Sequence, residues 1–179
     1  MHCFQAHTDR ADEIAQLVES SFTASEGERE GRLIGKLAFD LLRQTPTEDR
    51  LAYVAEDAGQ LVGAIVFSRL RYPQDSRQVF VLAPVAVATA RQHQGIGLQL
   101  LRFGLQALRE HGVDAVLTYG DPNYYCKVGF QPLREDEVQA PFPLQMPHGW
   151  QGQSLREAPL LPLPGPCRCV EALNDPVFW

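Results

Sequence analysis

Hydrophobic residues recur at helical spacing twice in the first quarter of the chain. This spacing predicts two amphipathic helices after a weak first strand over residues 2–7, and Thr8 or Asp9 is suited to cap the first helix. The apolar positions are Ala11, Ile14, Leu17, Val18 and Phe22 in the first helix and Leu33, Ile34, Leu37, Ala38, Leu41 and Leu42 in the second. The polar run 23–30 between them predicts a loop.

Strand patterns follow the two helices. Residues 51–56 and 61–70 predict a β-hairpin, and the nearly continuous apolar run of the second strand is typical of a central strand. Residues 79–87 predict the next strand, in which Pro84 cannot donate to the sheet, so we expect a bulge or a local loss of pairing. The remaining predicted strands are 113–119, 150–155 and 167–173, with an extended proline-rich connector over 159–166.

The junction over residues 85–101 carries the main functional signal. An apolar strand passes through a polar loop and reaches Gly95 and Gly97, after which leucines repeat at helical spacing up to a suitable C-cap at Gly112. Backbone N–H groups at a helix start lack intrahelical partners and favour anions, and glycines let a ligand approach them closely. The junction therefore predicts a phosphate-binding loop.

Two common phosphate-binding motifs do not fit this junction. Leu100 occupies the place of the third glycine in a dinucleotide fingerprint, and no lysine follows the glycines as a Walker A loop requires. The remaining pattern, Gln92-x-x-Gly95-x-Gly97, resembles the pyrophosphate loop of the GNAT superfamily of acetyl-CoA-dependent N-acetyltransferases. A tight strand-to-helix turn, with its glycines serving only packing, is the structural alternative.

A second segment strengthens the resemblance. Residues 120–130 read Gly-Asp-Pro-Asn-Tyr-Tyr-Cys-Lys-Val-Gly-Phe. This run resembles the later motif of the superfamily, in which a tyrosine four residues before Gly-Phe faces the thioester, and it is most similar to the YhbS-type branch of predicted acetyltransferases. The resemblance extends from about residue 6 to residue 130 and more loosely to the C-terminus.

The resemblance implies an α+β fold. Its central sheet is mixed and mostly antiparallel, twisted, built of six or seven strands and splayed between strands 4 and 5, with helices on both faces. It further implies a single domain over 1–179, in which 1–78 supply the acceptor-side helices and first strands, 79–130 the acetyl-CoA-binding core, and 131–179 the C-terminal strands. The strand–helix–strand order around the junction independently implies parallel neighbours with a right-handed crossover.

The resemblance also implies the site residues for acetyl-CoA as cosubstrate and CoA as product. Tyr125 matches the motif tyrosine, and a phenol of reference pKa ~10 keeps its proton at neutral pH and can hydrogen-bond or donate to a departing thiolate of reference pKa ~8.5. A core aromatic is the alternative for Tyr125. The predicted cofactor contacts are Val85, Ala86 and Val87 along the strand, Gln92, His93, Gln94, Gly95, Ile96, Gly97 and Leu98 in the loop, and Asn123.

No general base is identifiable from the sequence. Glu26, Glu28, Glu30 and Asp121 are candidates, a water chain to a carboxylate would serve as well, and the three glutamates equally fit a solvated loop. Arg91, like His93, flanks the loop, where it can reach a phosphate or face solvent.

Composition limits the partners. A net charge of −6 over 179 residues argues against nucleic acid and anionic membranes as partners. No apolar run approaches the ~20 residues that span a bilayer, and residues 1–5 lack a signal-peptide layout, so we expect a cytoplasmic protein. The four cysteines show no paired zinc signature, and no metal site is predicted, although a metal or redox role for Cys167-x-Cys169 stays open.

The function predicted from these residues is acetyl transfer to a primary amine of a small molecule or protein. A noncatalytic acyl-CoA-binding regulatory module of the same fold is the alternative, because no base is assignable. The acceptor cannot be read from the sequence, and a homodimer through the C-terminal strands is a reasonable expectation.

Overall fold

The chain forms a mixed α+β structure around an open seven-stranded sheet. The computed structural model describes residues 1–179, with the sheet order β1-β2-β3-β4-β5-β7-β6. The elements are β1 His2–Gln5, α1 Ala11–Glu26, α2 Glu28–Arg43, β2 Arg50–Asp57, β3 Gln60–Leu70, β4 Val79–Val87, α3 Ile96–Glu110, β5 Ala115–Tyr119, α4 Pro122–Tyr125, β6 Gln131–Pro132 and β7 Trp150–Ser154. None of the helices is both long and apolar enough to span a membrane.

Strand pairing confirms the predicted mixed sheet. β1 pairs antiparallel with β2, and β7 pairs antiparallel with both β5 and β6. β4 and β5 are parallel, as the strand–helix–strand order predicted, and their ladder runs from Val79↔Ala115 to Leu82↔Thr118. β4 continues past this ladder through Pro84 to Val87, so the proline does not end the strand.

The residues group into two compact units. The first contains Met1–Phe67 and Ala83–Gly104, and the second contains Ser68–Leu82 and Leu105–Trp179. The first unit holds α1 and α2, whose fully buried residues include Ile14, Val18, Leu41 and Leu42. In the second unit the indole rings of Trp150 and Trp179 pack edge to face with centroids 6.0 Å apart.

The prediction of a loop over residues 23–30 is wrong. α1 continues to Glu26, and the only interruption before α2 is Gly27, whose φ of +94° is easily reached by glycine. The helical pair forms because α2 packs very closely on α1: a Cβ added at Gly31 would lie 1.9 Å from Thr23 Oγ1. This tertiary packing outweighs the weak helix preference of the polar run.

The candidate glutamates therefore lie on helices. Glu26 is the last residue of α1, and Glu28 and Glu30 lie in the first turn of α2, where carboxylates are stabilised by the helix dipole. Glu26 and Glu28 are exposed, and Glu30 is half-buried.

Two further predictions are corrected. A 3₁₀ turn over Thr8–Arg10 precedes α1, so the N-cap is Arg10, with no side-chain cap hydrogen bond, rather than Thr8 or Asp9. Residues 167–173 are not a strand: Arg168 forms an isolated bridge with Arg71, and a 3₁₀ turn follows over Glu171–Leu173. A strand needs a partner along its length, and here only one residue finds one.

Candidate functional site

The predicted phosphate-binding loop leads into the open start of α3. A 3₁₀ turn covers Thr89–Arg91, and α3 begins at Ile96. The Gln99 N–H donates to the Gly95 carbonyl at 3.0 Å, which leaves the earlier amides of Ile96, Gly97 and Leu98 without acceptors from the helix. These amides lie at the positive end of the helix dipole, an arrangement that binds anions.

Gly95 is required by its backbone conformation rather than by packing. Its φ is +81°, in the left-handed region, and a Cβ added there would meet no atom within 4 Å. The space beside the backbone is therefore open to a ligand. His93 also has a positive φ, +61°, and its side chain is exposed.

The side chain of Gln92 is bonded inside the protein. Its Nε2 donates to the Val87 carbonyl at 3.2 Å and to Ser21 Oγ at 3.4 Å. The Ser21 hydroxyl itself donates to the same Val87 carbonyl at 3.1 Å. These bonds tie the loop to the end of β4 and to α1.

Arg91 is held in an ion pair rather than facing solvent alone. Its guanidinium lies 2.7 Å from the Asp57 carboxylate, and its Nε donates to Gln94 Oε1 at 3.2 Å. The Met1 ammonium also pairs with Asp57, at 2.9 Å. The ammonium and then Arg91 lower the pKa of Asp57 to about 2. Asp57 therefore stays charged, and the loop is anchored to the turn after β2.

The backbone of β4 offers hydrogen-bonding groups near the loop. The Ala88 N–H donates to the Val62 carbonyl of β3 at 3.0 Å. Because neighbouring residues of a strand direct their backbone groups to opposite sides, those of Val85 and Val87 point away from β3. The Val87 carbonyl already accepts from Ser21 and Gln92, which leaves both groups of Val85 and the N–H of Val87 for a ligand.

In the second unit, the short helix α4 presents Tyr125. Asp121 is its N-cap, and the carboxylate accepts from the Asn123 backbone N–H at 2.9 Å and from Asn123 Nδ2 at 3.1 Å. Pro122 occupies the first turn, where its missing N–H costs nothing. The Asp121 carboxylate, one of the base candidates, is thus used as a helix cap.

Tyr125 lies in an aromatic setting. Its ring contacts those of Tyr124 and Phe130 edge to face, with centroids 5.3 Å and 5.7 Å apart. A Cβ at Gly120 would lie 2.9 Å from Tyr125 Cε2, so the glycine allows close approach of the ring. Burial raises the pKa of Tyr125 to about 12, opposed by a hydrogen bond with the Thr118 hydroxyl. The phenol therefore stays protonated at neutral pH.

The two C-terminal cysteines, Cys167 and Cys169, are held as thiols. Cys126 is exposed, and its Sγ lies 3.6 Å from the Asn123 carbonyl. Burial raises the pKa of the Cys167 thiol to about 12 and that of Cys169 to about 11. A thiol is nucleophilic only as its thiolate, so Cys167 and Cys169 are inert at neutral pH.

The structure groups the predicted residues within each unit. The first unit contains the loop, Val85 and Val87, and its Gln92 and Val87 are bonded to a further residue, Ser21; the second unit brings together Asp121, Asn123 and Tyr125. Ser21 was missed by the sequence reasoning, although a serine at a buried position of an otherwise apolar helix stripe was a usable signal.

Comparisons with known proteins give matches over most of the chain. The model of the acetyltransferase (GNAT) family matches residues 11–130. An uncharacterized N-acetyltransferase of Escherichia coli, YjhQ, is 32% identical, with 96% of this chain and 94% of that protein covered.

Two solved structures are similar over most of their length. The YhbS N-acetyltransferase of Escherichia coli in complex with CoA has a TM-score of 0.82 at 28% identity, covering 97% of this chain and 92% of that one. A GNAT family acetyltransferase of Brucella melitensis in complex with acetyl-CoA has a TM-score of 0.74 at 28% identity, covering 96% and 97%.

Proposed function

Because the chain belongs to the acetyltransferase (GNAT) family, in its YhbS-like branch, we propose that it transfers an acetyl group from acetyl-CoA to a primary amine of a small molecule or protein. The observation that carries the proposal is the open start of α3, where free amides adjoin Gly95 in its left-handed conformation. The CoA and acetyl-CoA complexes of the two similar structures support the choice of ligand.

We assign the cofactor's phosphates to the loop and its pantetheine arm to β4. The N–H groups of Ile96, Gly97 and Leu98 are unpaired by the helix and supply the anion-binding donors. An extended arm with two amides can bond a strand as another strand does, and Val85 supplies both a donor and an acceptor for this. The side chain of Ala86 is buried.

For acetyl transfer, the main task of the protein is to position the thioester and the amine. The amine lone pair forms the C–N bond to the acetyl carbonyl carbon while the C–S bond breaks and its electron pair passes to sulfur. The Val85 N–H can stabilise the negative charge on the carbonyl oxygen. The proton released by the amine passes to water or a carboxylate, since no side chain is assigned as the general base.

Tyr125 is the proposed partner of the departing thiolate. Complete proton transfer from a phenol of pKa about 12 to a thiolate of reference pKa ~8.5 is uphill by about 5 kcal/mol, at 1.36 kcal/mol per pKa unit. Hydrogen-bond donation from the neutral phenol needs no such transfer. We therefore assign Tyr125 as a hydrogen-bond donor to the thiolate, which then takes its proton from solvent.

The test is release of free CoA thiol by the wild-type protein and by Tyr125→Phe over a panel of amines. We expect turnover by the wild type and a loss of roughly 10²-fold or more in kcat for the variant, with CoA affinity unchanged in calorimetry. Tyr124→Phe, on the same short helix, is the matched control and should keep most of the activity.

A noncatalytic acyl-CoA-binding module is the second candidate. It is favoured by the use of Asp121 as a helix cap and by the absence of any other assigned base. Binding of CoA and acetyl-CoA without turnover of any amine on the panel would select it. Failure of CoA, acetyl-CoA and ATP to raise the melting temperature would reject both candidates, because a hundredfold excess over Kd stabilises the folded state by about 2.7 kcal/mol.

A further inference from the structure

Three polar groups from separate elements meet beside the predicted phosphate-binding loop. They are Ser21 Oγ on α1, the Val87 carbonyl at the end of β4, and Gln92 Nε2 at the start of the loop. The three distances between them are 3.1, 3.2 and 3.4 Å. Ser21 is only 6% exposed, so water offers its hydroxyl little alternative.

The hydrogen bonds of this triad are fully used. The Gln92 amide has two N–H hydrogens, and the structure directs Nε2 to two acceptors. The Ser21 hydroxyl donates its one hydrogen to Val87 and accepts from Gln92, while the Val87 carbonyl accepts twice. The remaining Gln92 atom, Oε1, is an acceptor and has nothing to donate to a phosphate.

We propose that Ser21 and Gln92 are positioning residues that brace the loop and the end of β4 against α1, and that Gln92 does not bind the phosphates. The proposal rests on the proposed function, since it concerns the same CoA-binding loop. In this brace, Ser21 sets the orientation of Gln92, and both fix the Val87 carbonyl. Loop amides held in place before binding lose less freedom on binding, which raises affinity.

The brace predicts a specific pattern in CoA affinity measured by calorimetry. Ser21→Ala and Gln92→Ala should each weaken CoA binding three- to tenfold. The double variant should bind CoA no more weakly than the weaker-binding of the two single variants, because each substitution disrupts the same brace. Ser21→Thr keeps the hydroxyl and should restore the affinity. Ser20→Ala is the matched control, since the Ser20 hydroxyl bonds the Leu17 carbonyl within its own helix.

Direct phosphate binding by Gln92 predicts the opposite pattern. Either Ser21→Ala would then leave CoA affinity unchanged, or both single variants would weaken it and their losses would add in the double variant. Either result overturns the brace while leaving the proposed function intact.

Hydrogen–deuterium exchange of the ligand-free protein separates the two proposals. The hydrogen-bonded amides of Ala88, Arg91, Gln92 and Gln99 should exchange faster in Ser21→Ala than in the wild type or Ser20→Ala, and Ser21→Thr should reverse the change. Unchanged exchange in Ser21→Ala contradicts the brace. If exchange rises but the wild type binds no CoA, the brace stands as a structural feature and the proposed function fails.

Discussion

Replacing Gly31 by alanine sets two opposing effects against each other. Alanine in a helix interior is favoured over glycine by about 1 kcal/mol. However, the new Cβ would lie 1.9 Å from Thr23 Oγ1, 2.7 Å from the Glu19 carbonyl oxygen and 2.9 Å from the Thr23 backbone nitrogen. Two of these three atoms are backbone, so α2 itself must move away from α1.

Overpacking of this kind costs typically about 1–3 kcal/mol, and the backbone contacts place Gly31→Ala in the upper part of that range. After the gain in helix propensity, we expect a net destabilisation of about 1–2 kcal/mol. For a domain of this length, that lowers the melting temperature by about 2–8 °C. Thermal unfolding followed by circular dichroism measures the change.

Gly104→Ala is the matched control, because Gly104 is also a buried helical glycine. Its new Cβ would meet Ile65 Cδ1 at 2.7 Å and Phe67 Cε2 at 2.9 Å, and because both atoms belong to side chains, no backbone has to shift. Gly104→Ala should therefore lower the melting temperature less than Gly31→Ala.

A second variant tests the cause. Thr23→Ala in the Gly31→Ala background removes the contact with Oγ1 but leaves both backbone contacts, so it should restore only part of the stability. If Gly31→Ala melts at or above the wild-type temperature, helix propensity dominates and the argument from close helix approach is refuted.

Three further perturbations follow from the backbone and charges around the loop. Gly95→Ala places a residue with a Cβ in a left-handed conformation, although the Cβ itself meets no neighbouring atom. The variant should lose about 1–2 kcal/mol, seen as a lower melting temperature or weaker CoA binding. A variant with both properties unchanged would contradict the need for glycine. Ala58 has a φ of +51° in the β2–β3 turn, a left-handed conformation that asparagine adopts more readily than alanine. Ala58→Asn should therefore raise the free energy of unfolding by up to about 1 kcal/mol, measured as a higher urea midpoint. An unchanged midpoint would mean that the turn is unstrained. The pKa of Asp57 is lowered to about 2 by the Met1 ammonium and Arg91, so its contribution to stability is present above about pH 4 and is lost as pH falls through 2. The urea midpoint of Asp57→Asn should accordingly fall less steeply than that of the wild type between pH 4 and 2, and parallel curves would refute this.

Local signals were sufficient for the parts of the fold that depend on few residues. The hairpin of β2 and β3 needs a tight turn, and the structure has one at Ala58–Gly59 with positive φ at both residues. The start of α3 follows from Gly95, whose conformation suits few other residues. The cap of α4 follows from Asp121-Pro122, which satisfies a free amide and presets the first turn.

Long-range packing decided where local preference was weak. The run 23–30 is helical because Gly31 and Gly35 let α2 lie against α1, and helical periodicity alone does not show that two helices will pack this closely. Residues 167–173 read as a strand by composition, yet only Arg168 finds a partner. In both cases the outcome depended on a surface supplied from elsewhere in the chain.

By itself, the sequence determined the family, the fold class and the position of the glycine-containing loop before α3, because each rests on short motifs whose glycines, prolines and caps act on adjacent backbone. The roles of Tyr125 and of the cofactor contacts stay predictions. Only the tertiary structure decided that the Gln92 amide and the Val87 carbonyl both meet Ser21, since hydrogen bonds over 71 and 66 residues of separation have no local signature. It likewise decided the raised pKa of Tyr125, because burial comes from the assembled second unit rather than from the motif.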